Sequence, residues 1–105
     1  MPKGDRYYME KFEQECFHML FQAMLSLQSE EECAAFLEDL MTRKELADVA
    51  QRLSVAKMLS EQAVYSKIVE KTGASTATIS RVNRADNYGA GGYEKILKRL
   101  EKDLK

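Results

Sequence analysis

Four hydroxyls and two guanidinium groups fall between Ser75 and Arg84, at Ser75, Thr76, Thr78, Ser80, Arg81 and Arg84, with no carboxylate among them. Short hydroxyls exchange hydrogen bonds with base edges and phosphates, and an arginine offers two parallel N–H donors to guanine or to a phosphate oxygen. Ile79 and Val82, three apart, mark an inward side of the same stretch. Upstream, Ile68 and Thr72 sit four apart and Gly73 follows them. Glycine takes the left-handed conformation that ends a helix without steric penalty. Ser75 or Thr76 can cap the helix that comes next, which Ala77 and Ile79 begin. Tyr65–Arg84 thus predicts two short helices joined by a tight turn, apolar inward and donors outward, as a groove-reading helix-turn-helix requires. Lys67 and Lys71, one turn apart on the first helix, are candidate contacts to a phosphate backbone.

Other chemistries find little material. His18 is the single histidine and has no partner cluster. Cys16 and Cys33 lack CxxC spacing and read as free, buried thiols in a reducing cytosol. The acidic run Glu30–Glu32 lies at a helix start, where the helix dipole favours carboxylates without any metal. The glycines between Tyr88 and Tyr93 come without the lysine and Ser/Thr of a phosphate-binding loop. No nucleophile motif and no apolar-flanked carboxylate pair is present, so neither an enzyme nor a metal or cofactor is expected. No apolar run is long enough to cross a bilayer and no leader is visible, so the expected location is cytoplasmic and away from membranes.

The elements that must position these groups are helical throughout. Met1–Arg6 reads as a loose tail. From Tyr7 to Leu27 the chain lacks proline and glycine, with Met9, Phe12, Cys16, Leu20, Ala23 and Leu27 in one stripe. Phe17, Phe21 and Met24 widen that stripe beyond what one core face needs, which predicts a helix shared with a second subunit. Ser29 and Glu32 form a capping box for a helix to about Met41, with Cys33, Phe36, Leu37 and Leu40 inward. Thr42 and Glu45 form another, opening a third helix with Leu46, Val49, Ala50, Leu53 and Ala56 inward, ending near Ser60. Gln62–Val64 links into the helix-turn-helix. A flexible loop is expected from Ala85, then a final amphipathic helix carrying Tyr93, Ile96, Leu97, Leu100 and Leu104.

At 105 residues the chain is the length of one small domain. Its net charge of −1 hides an asymmetry. Residues 1–59 hold 7 Lys/Arg against 11 Asp/Glu, net −4, and residues 60–105 hold 9 against 6, net +3. The basic half carries the helix-turn-helix, where a phosphate backbone would lie.

With the six helices laid out, the chain resembles the Trp repressor superfamily, in its YerC/YecD-type branch. The resemblance is sharpest at Thr72-Gly73-Ala74-Ser75-Thr76-Ala77-Thr78-Ile79-Ser80-Arg81 and extends to Leu40-Met41-Thr42 and Gln51-Arg52-Leu53. It covers about residues 36–100, with the first helix matched by pattern only. It implies an all-α, six-helix fold over residues 1–105, with a helix-turn-helix at about 64–85. Dimerisation helices would span about 7–60 and 92–104, intertwined in a homodimer. The implied function is repression of transcription by binding double-stranded DNA at a palindromic operator. By position, Thr42, Arg52 and Arg81 resemble the family's corepressor-binding residues. Val82, however, stands where the family has a glycine against which the ligand packs, and Ala85 where it has a serine that meets the ligand's amino group. Both changes disfavour a tryptophan-shaped ligand. A protein-interaction adaptor that keeps the fold without binding DNA is the competing expectation, and the acidic first half would suit it.

Overall fold

The computed structural model describes residues 10–104. The expected tail at Met1–Arg6 and the start of the first helix at Tyr7–Met9 lie outside the described residues. Six helices follow in chain order, with no strand among the described residues: α1 Lys11–Leu25, α2 Glu30–Leu40, α3 Arg43–Ser60, α4 Tyr65–Thr72, α5 Thr76–Tyr88 and α6 Gly92–Leu104. They group into two compact units, Met1–Leu40 and Met41–Lys105.

In the first unit α1 closes two residues before the predicted Leu27. The Ser26 hydroxyl donates to the Ala23 carbonyl at 2.7 Å and the Leu27 N–H turns back to Met24, a local bond that competes with further helix. At α2 the Ser29 hydroxyl accepts from the Glu32 N–H at 3.0 Å. The Glu32 carboxylate reaches one residue further than the capping box predicts, to the N–H of Gln28. Neither helix buries a residue fully. Cys16, Leu20, Ala23 and Leu27 are half-buried, as are Cys33, Phe36 and Leu37, whereas Leu40 is exposed. The two cysteines are free, and less covered than the buried thiols expected. The second apolar flank stays open: Phe21 is 56% exposed and Phe12, expected inward, 75%. Phe17 and Phe21 stack on each other across one helical turn, ring centroids 6.3 Å apart. Two helices with that much apolar surface and no fully buried side chain lack a core of their own.

The second unit has one. Its buried centre is Val55, Ala56, Ile68, Ala74, Ile79 and Val82, with Met58, Leu59, Ala63, Tyr93 and Leu97 packed against it. α3 is the hub, touching α4, α5 and α6. It starts with the predicted box: the Thr42 hydroxyl accepts from the Glu45 N–H at 3.1 Å and Glu45 returns the bond to the Thr42 N–H at 2.9 Å. The predicted α3 stripe is covered only in part. Ala56 is buried, while Val49 and Leu53 remain open, because the core sits against the C-terminal third of the helix, at Val55, Ala56, Met58 and Leu59. Gln62, at φ 64, reverses the chain into α4, and the Ala63 N–H closes the turn on Met58.

The loop expected from Ala85 is shorter than predicted. α5 continues to Tyr88, with the Asn87 amide bonded to Asn83 one turn back. Nothing in Ala85–Tyr88 breaks a helix, and the break comes at Gly89, where a Cβ would strike the Ala85 carbonyl oxygen. In α6 Tyr93 and Leu97 pack on the core, while Ile96 and Leu100 are 43% exposed. The Leu104 side chain is outside the described residues.

Candidate nucleic-acid interface

The corner between α4 and α5 is built from short-range bonds on a buried anchor. Gly73 takes φ 74 and its N–H donates to Val69 at 2.9 Å, ending α4. The Thr72 hydroxyl donates to the Ile68 carbonyl at 2.7 Å and accepts from the Ala74 N–H at 3.1 Å. The Thr72 carbonyl accepts from the Gln51 side-chain amide of α3 at 3.0 Å. Ala74, one residue on, is buried.

Between the two candidate caps the structure selects Ser75. Its oxygen accepts from the Thr78 N–H at 3.1 Å, and its hydroxyl donates to the Thr78 hydroxyl oxygen at the same distance. Ser75 and Thr78 thus spend hydrogen-bonding capacity on each other, and Thr78 is half-buried although the spacing placed it outward. Thr76, Ser80, Arg81 and Arg84 are exposed, and Ile79 and Val82 are buried in the core. Ala77 is exposed too. Its residue type marks it as the apolar start of the helix, yet two residues before buried Ile79 the 3.6-residue period already turns it outward. The first carboxylate of α5 is Asp86, half-buried in its last part. Lys67 and Lys71 are exposed on α4, and Lys71 lines a cleft against Ala47, Ala50 and Ser54 of α3.

Charge follows the unit boundary more sharply than the halves of the sequence. Met1–Leu40 carries 3 Lys/Arg and 9 Asp/Glu, net −6; Met41–Lys105 carries 13 and 8, net +5. The unit holding α4 and α5 is the cationic one. Among the described residues three ion pairs, Lys44–Asp48, Lys57–Glu61 and Lys98–Glu94, lie at i,i+4 positions on the surface, and none uses Arg81 or Arg84. Both arginines of α5 are exposed.

Residues 15–101 match the sequence profile of the Trp repressor protein family. The chain belongs to the Trp repressor family. The match begins well before residue 36, where the resemblance in the sequence becomes specific, and takes in α1 from residue 15 onward. The chain is 54% identical over 82 residues to the uncharacterized protein YerC of Bacillus subtilis (strain 168), covering 78% of this chain and 79% of that one. Among solved structures it is similar to a TrpR-like protein from Eubacterium eligens ATCC 27750. That match has TM-score 0.81 and 52% identity, covering 83% of this chain and 90% of the other. It is also similar to a candidate Trp repressor from Staphylococcus aureus, with TM-score 0.81 and 41% identity, covering 89% and 96%. The fold is the all-α Trp repressor-like one, and the family is one of DNA-binding regulators.

Against that family, the three candidate ligand residues are all on the surface: Thr42, Arg52 and Arg81 are exposed. The Thr42 hydroxyl is engaged as the cap of α3. Val82, which the resemblance sets where the family has a glycine, is only 2% exposed and held among the core side chains. Ala85 offers no hydroxyl. Among the described residues no helix is long and apolar enough to cross a membrane.

The cap assignment makes a prediction. Ser75→Ala removes the oxygen that meets the Thr78 N–H and should cost about 1 kcal/mol of stability. Ser75→Asp keeps a capping acceptor and should stay close to wild type in urea denaturation, while adding a negative charge beside the cationic helix and weakening DNA binding. Equal stability of wild type and Ser75→Ala would mean that Thr76, not Ser75, caps α5.

Proposed function

We propose that this Trp repressor family protein is a sequence-specific transcriptional repressor that binds a palindromic operator as a homodimer, with α5 in the major groove. The observation that carries the reading is the outer face of α5. From Thr76 to Ala85 it presents hydroxyls and two exposed arginines that no carboxylate among the described residues pairs, on a helix whose other side is locked into the core by Ile79 and Val82. Thr76 and Ser80 offer short hydrogen bonds, Ala77 a methyl for the thymine methyl group, and Arg81 and Arg84 charge-assisted contacts to guanine or phosphate. Thr78 and Ser75 belong to the same surface, Ser75 chiefly as the cap that sets its start. Lys67 and Lys71 extend the cationic surface toward the backbone.

The exposed apolar surface of α1 and α6 supports the dimer. α1 exposes Phe12, Phe17, Phe21 and Met24, and α6 leaves Ile96 and Leu100 half open. Covering a large apolar side chain is worth about 1.5–3 kcal/mol, so a second copy would supply the core that the first unit lacks. Two copies related by a two-fold axis present two reading helices, and the operator then shares that symmetry.

The test is selection of bound sequences from random duplex DNA, with and without pooled amino acids, followed by affinity measurements across salt and sedimentation of the free protein. Expected are a dimer, an inverted-repeat consensus and affinity that falls steeply with salt. A compact folded monomer would remove the dimer. Failure to bind duplex DNA at any salt would favour the adaptor.

Free L-tryptophan is expected to leave DNA binding and melting temperature unchanged at micromolar concentration. A planar ligand beside Arg81 meets Val82 where the family offers a glycine, and Val82 is fixed among its core neighbours. Overpacking of this kind costs ~1–3 kcal/mol, or roughly 10- to 100-fold in affinity. The free dimer would be competent for DNA, or answer to another small anion. Saturable tryptophan binding in calorimetry, with a gain in operator affinity, would refute the expectation.

A further inference from the structure

We infer that Gln51 is a positioning residue for DNA reading: its side-chain amide, reaching from α3, fixes the α4–α5 turn and so the place at which α5 starts. The inference rests on the DNA-binding reading of α5. Its ground is one hydrogen bond unlike the others. Gln51 Nε2 donates to the Thr72 carbonyl at 3.0 Å across 21 residues of chain, in a half-buried setting. Every other side-chain hydrogen bond named above joins residues no more than four apart.

Apolar packing holds α3, α4 and α5 together but is non-directional, and a packed helix can slide or roll a little while staying covered. A hydrogen bond requires a narrow distance and angle, so it removes that freedom. Thr72 passes the constraint onward. Its carbonyl takes the Gln51 amide, and its hydroxyl is bonded to Ile68 behind and Ala74 ahead. Ala74 is next to Ser75, the cap of α5. A continuous path of hydrogen bonds and peptide therefore runs from α3 to the first turn of the reading helix. The Thr72 carbonyl is also one of the α4 C-terminal acceptors that have no partner within their own helix.

The tether lies at an open cleft. Ala47, Ala50 and Ser54 of α3 leave room beside Gln51 and Thr72, so water can reach the carbonyl when the amide is removed. Losing the bond then costs little folding energy but frees the turn. Base-edge contacts depend on placement within hydrogen-bond range, whereas phosphate attraction tolerates small displacements.

Gln51→Leu, similar in length but without a donor, is the direct test. On an operator selected with the wild type, its affinity should fall on the order of five- to tenfold. Its affinity for scrambled duplex at the same salt should stay within about twofold, because phosphate contacts survive. Its helicity and melting temperature should stay near wild type. Gln51→Glu should lose more at neutral pH, where a carboxylate faces the carbonyl. Relative to wild type at the same pH, it should recover toward pH ~5 as the protonated carboxyl becomes a donor. A packing role alone would produce no such recovery. In the free protein, amide exchange at Ala74 should quicken about five- to tenfold in Gln51→Leu, with α1 unaffected.

A specificity ratio within about twofold of wild type in Gln51→Leu would overturn the inference, as would specific and non-specific affinity falling together. If the wild type shows no sequence preference on DNA, the DNA-binding reading falls by itself. Exchange at Ala74 then decides the tether, and unchanged exchange overturns it.

Discussion

Arg81→Ala is expected to weaken operator binding by roughly tenfold or more while leaving helicity and melting temperature unchanged. A bidentate arginine–guanine pair discriminates by about 1–3 kcal/mol. Arg81 is exposed on α5, one residue before buried Val82, and no ion pair among the described residues holds it. Truncating it removes no core contact, so stability should not follow affinity down. Two outcomes are separable. If Arg81 reads a guanine, the variant relaxes base preference at one position of each half-site. If it meets a phosphate, affinity falls evenly across sequences and the salt slope drops by about one. Arg84, three residues later and also exposed, is the natural control for the second outcome. Binding isotherms over a salt series decide. Unchanged affinity for both Arg81→Ala and Arg84→Ala would remove α5 from the interface.

Ile79→Ala is expected to act on folding and to abolish DNA binding only as a consequence. Ile79 is 0% exposed at the start of α5 and shares the buried cluster with Val55, Ile68 and Val82. Large-to-small replacement at such a site costs about 2–5 kcal/mol through lost transfer energy and the cavity left behind. Small domains are stable by only about 5–15 kcal/mol, so a large part of the stability of the second unit would go. Thr76→Ala, three residues earlier but exposed, should change stability by less than ~0.5 kcal/mol. Urea denaturation of the two variants gives the comparison. A shift for Ile79→Ala no larger than that for Thr76→Ala would mean that α5 is not anchored through this side chain.

The two variants bracket how this unit is made. One side of α5 is committed to the core and the other is exposed, and the residues alternate at helical spacing. The division of charge, −6 in Met1–Leu40 and +5 in Met41–Lys105, leaves the unit that holds α5 cationic. It also gives the overall charge of −1 no bearing on whether the second unit attracts DNA.

What the sequence determined by itself lies within reach of a few residues along the chain. Gly73 stops α4, Thr42 and Glu45 start α3, and Ile68, Ile79 and Val82 face inward because one helical turn relates each to its neighbours. Capping, the left-handed turn and the 3.6-residue period are i to i+4 effects, and the residue types carry them. Tertiary structure decided what depends on residues far apart. α3 carries an apolar stripe along its length, but only the part under α4, α5 and α6 is covered, so Val49 and Leu53 stay open while Ala56 does not. α6 shows the same split between Leu97 and Leu100. Four outward hydroxyls look equivalent as letters, yet packing half-buries Thr78 and leaves Ser75, Thr76 and Ser80 exposed. Gln51 carries no local signal at all, because its partner, Thr72, is 21 residues away. Periodicity states which side of a helix is apolar; only the packed neighbours determine how much of that side is buried and which polar group meets which.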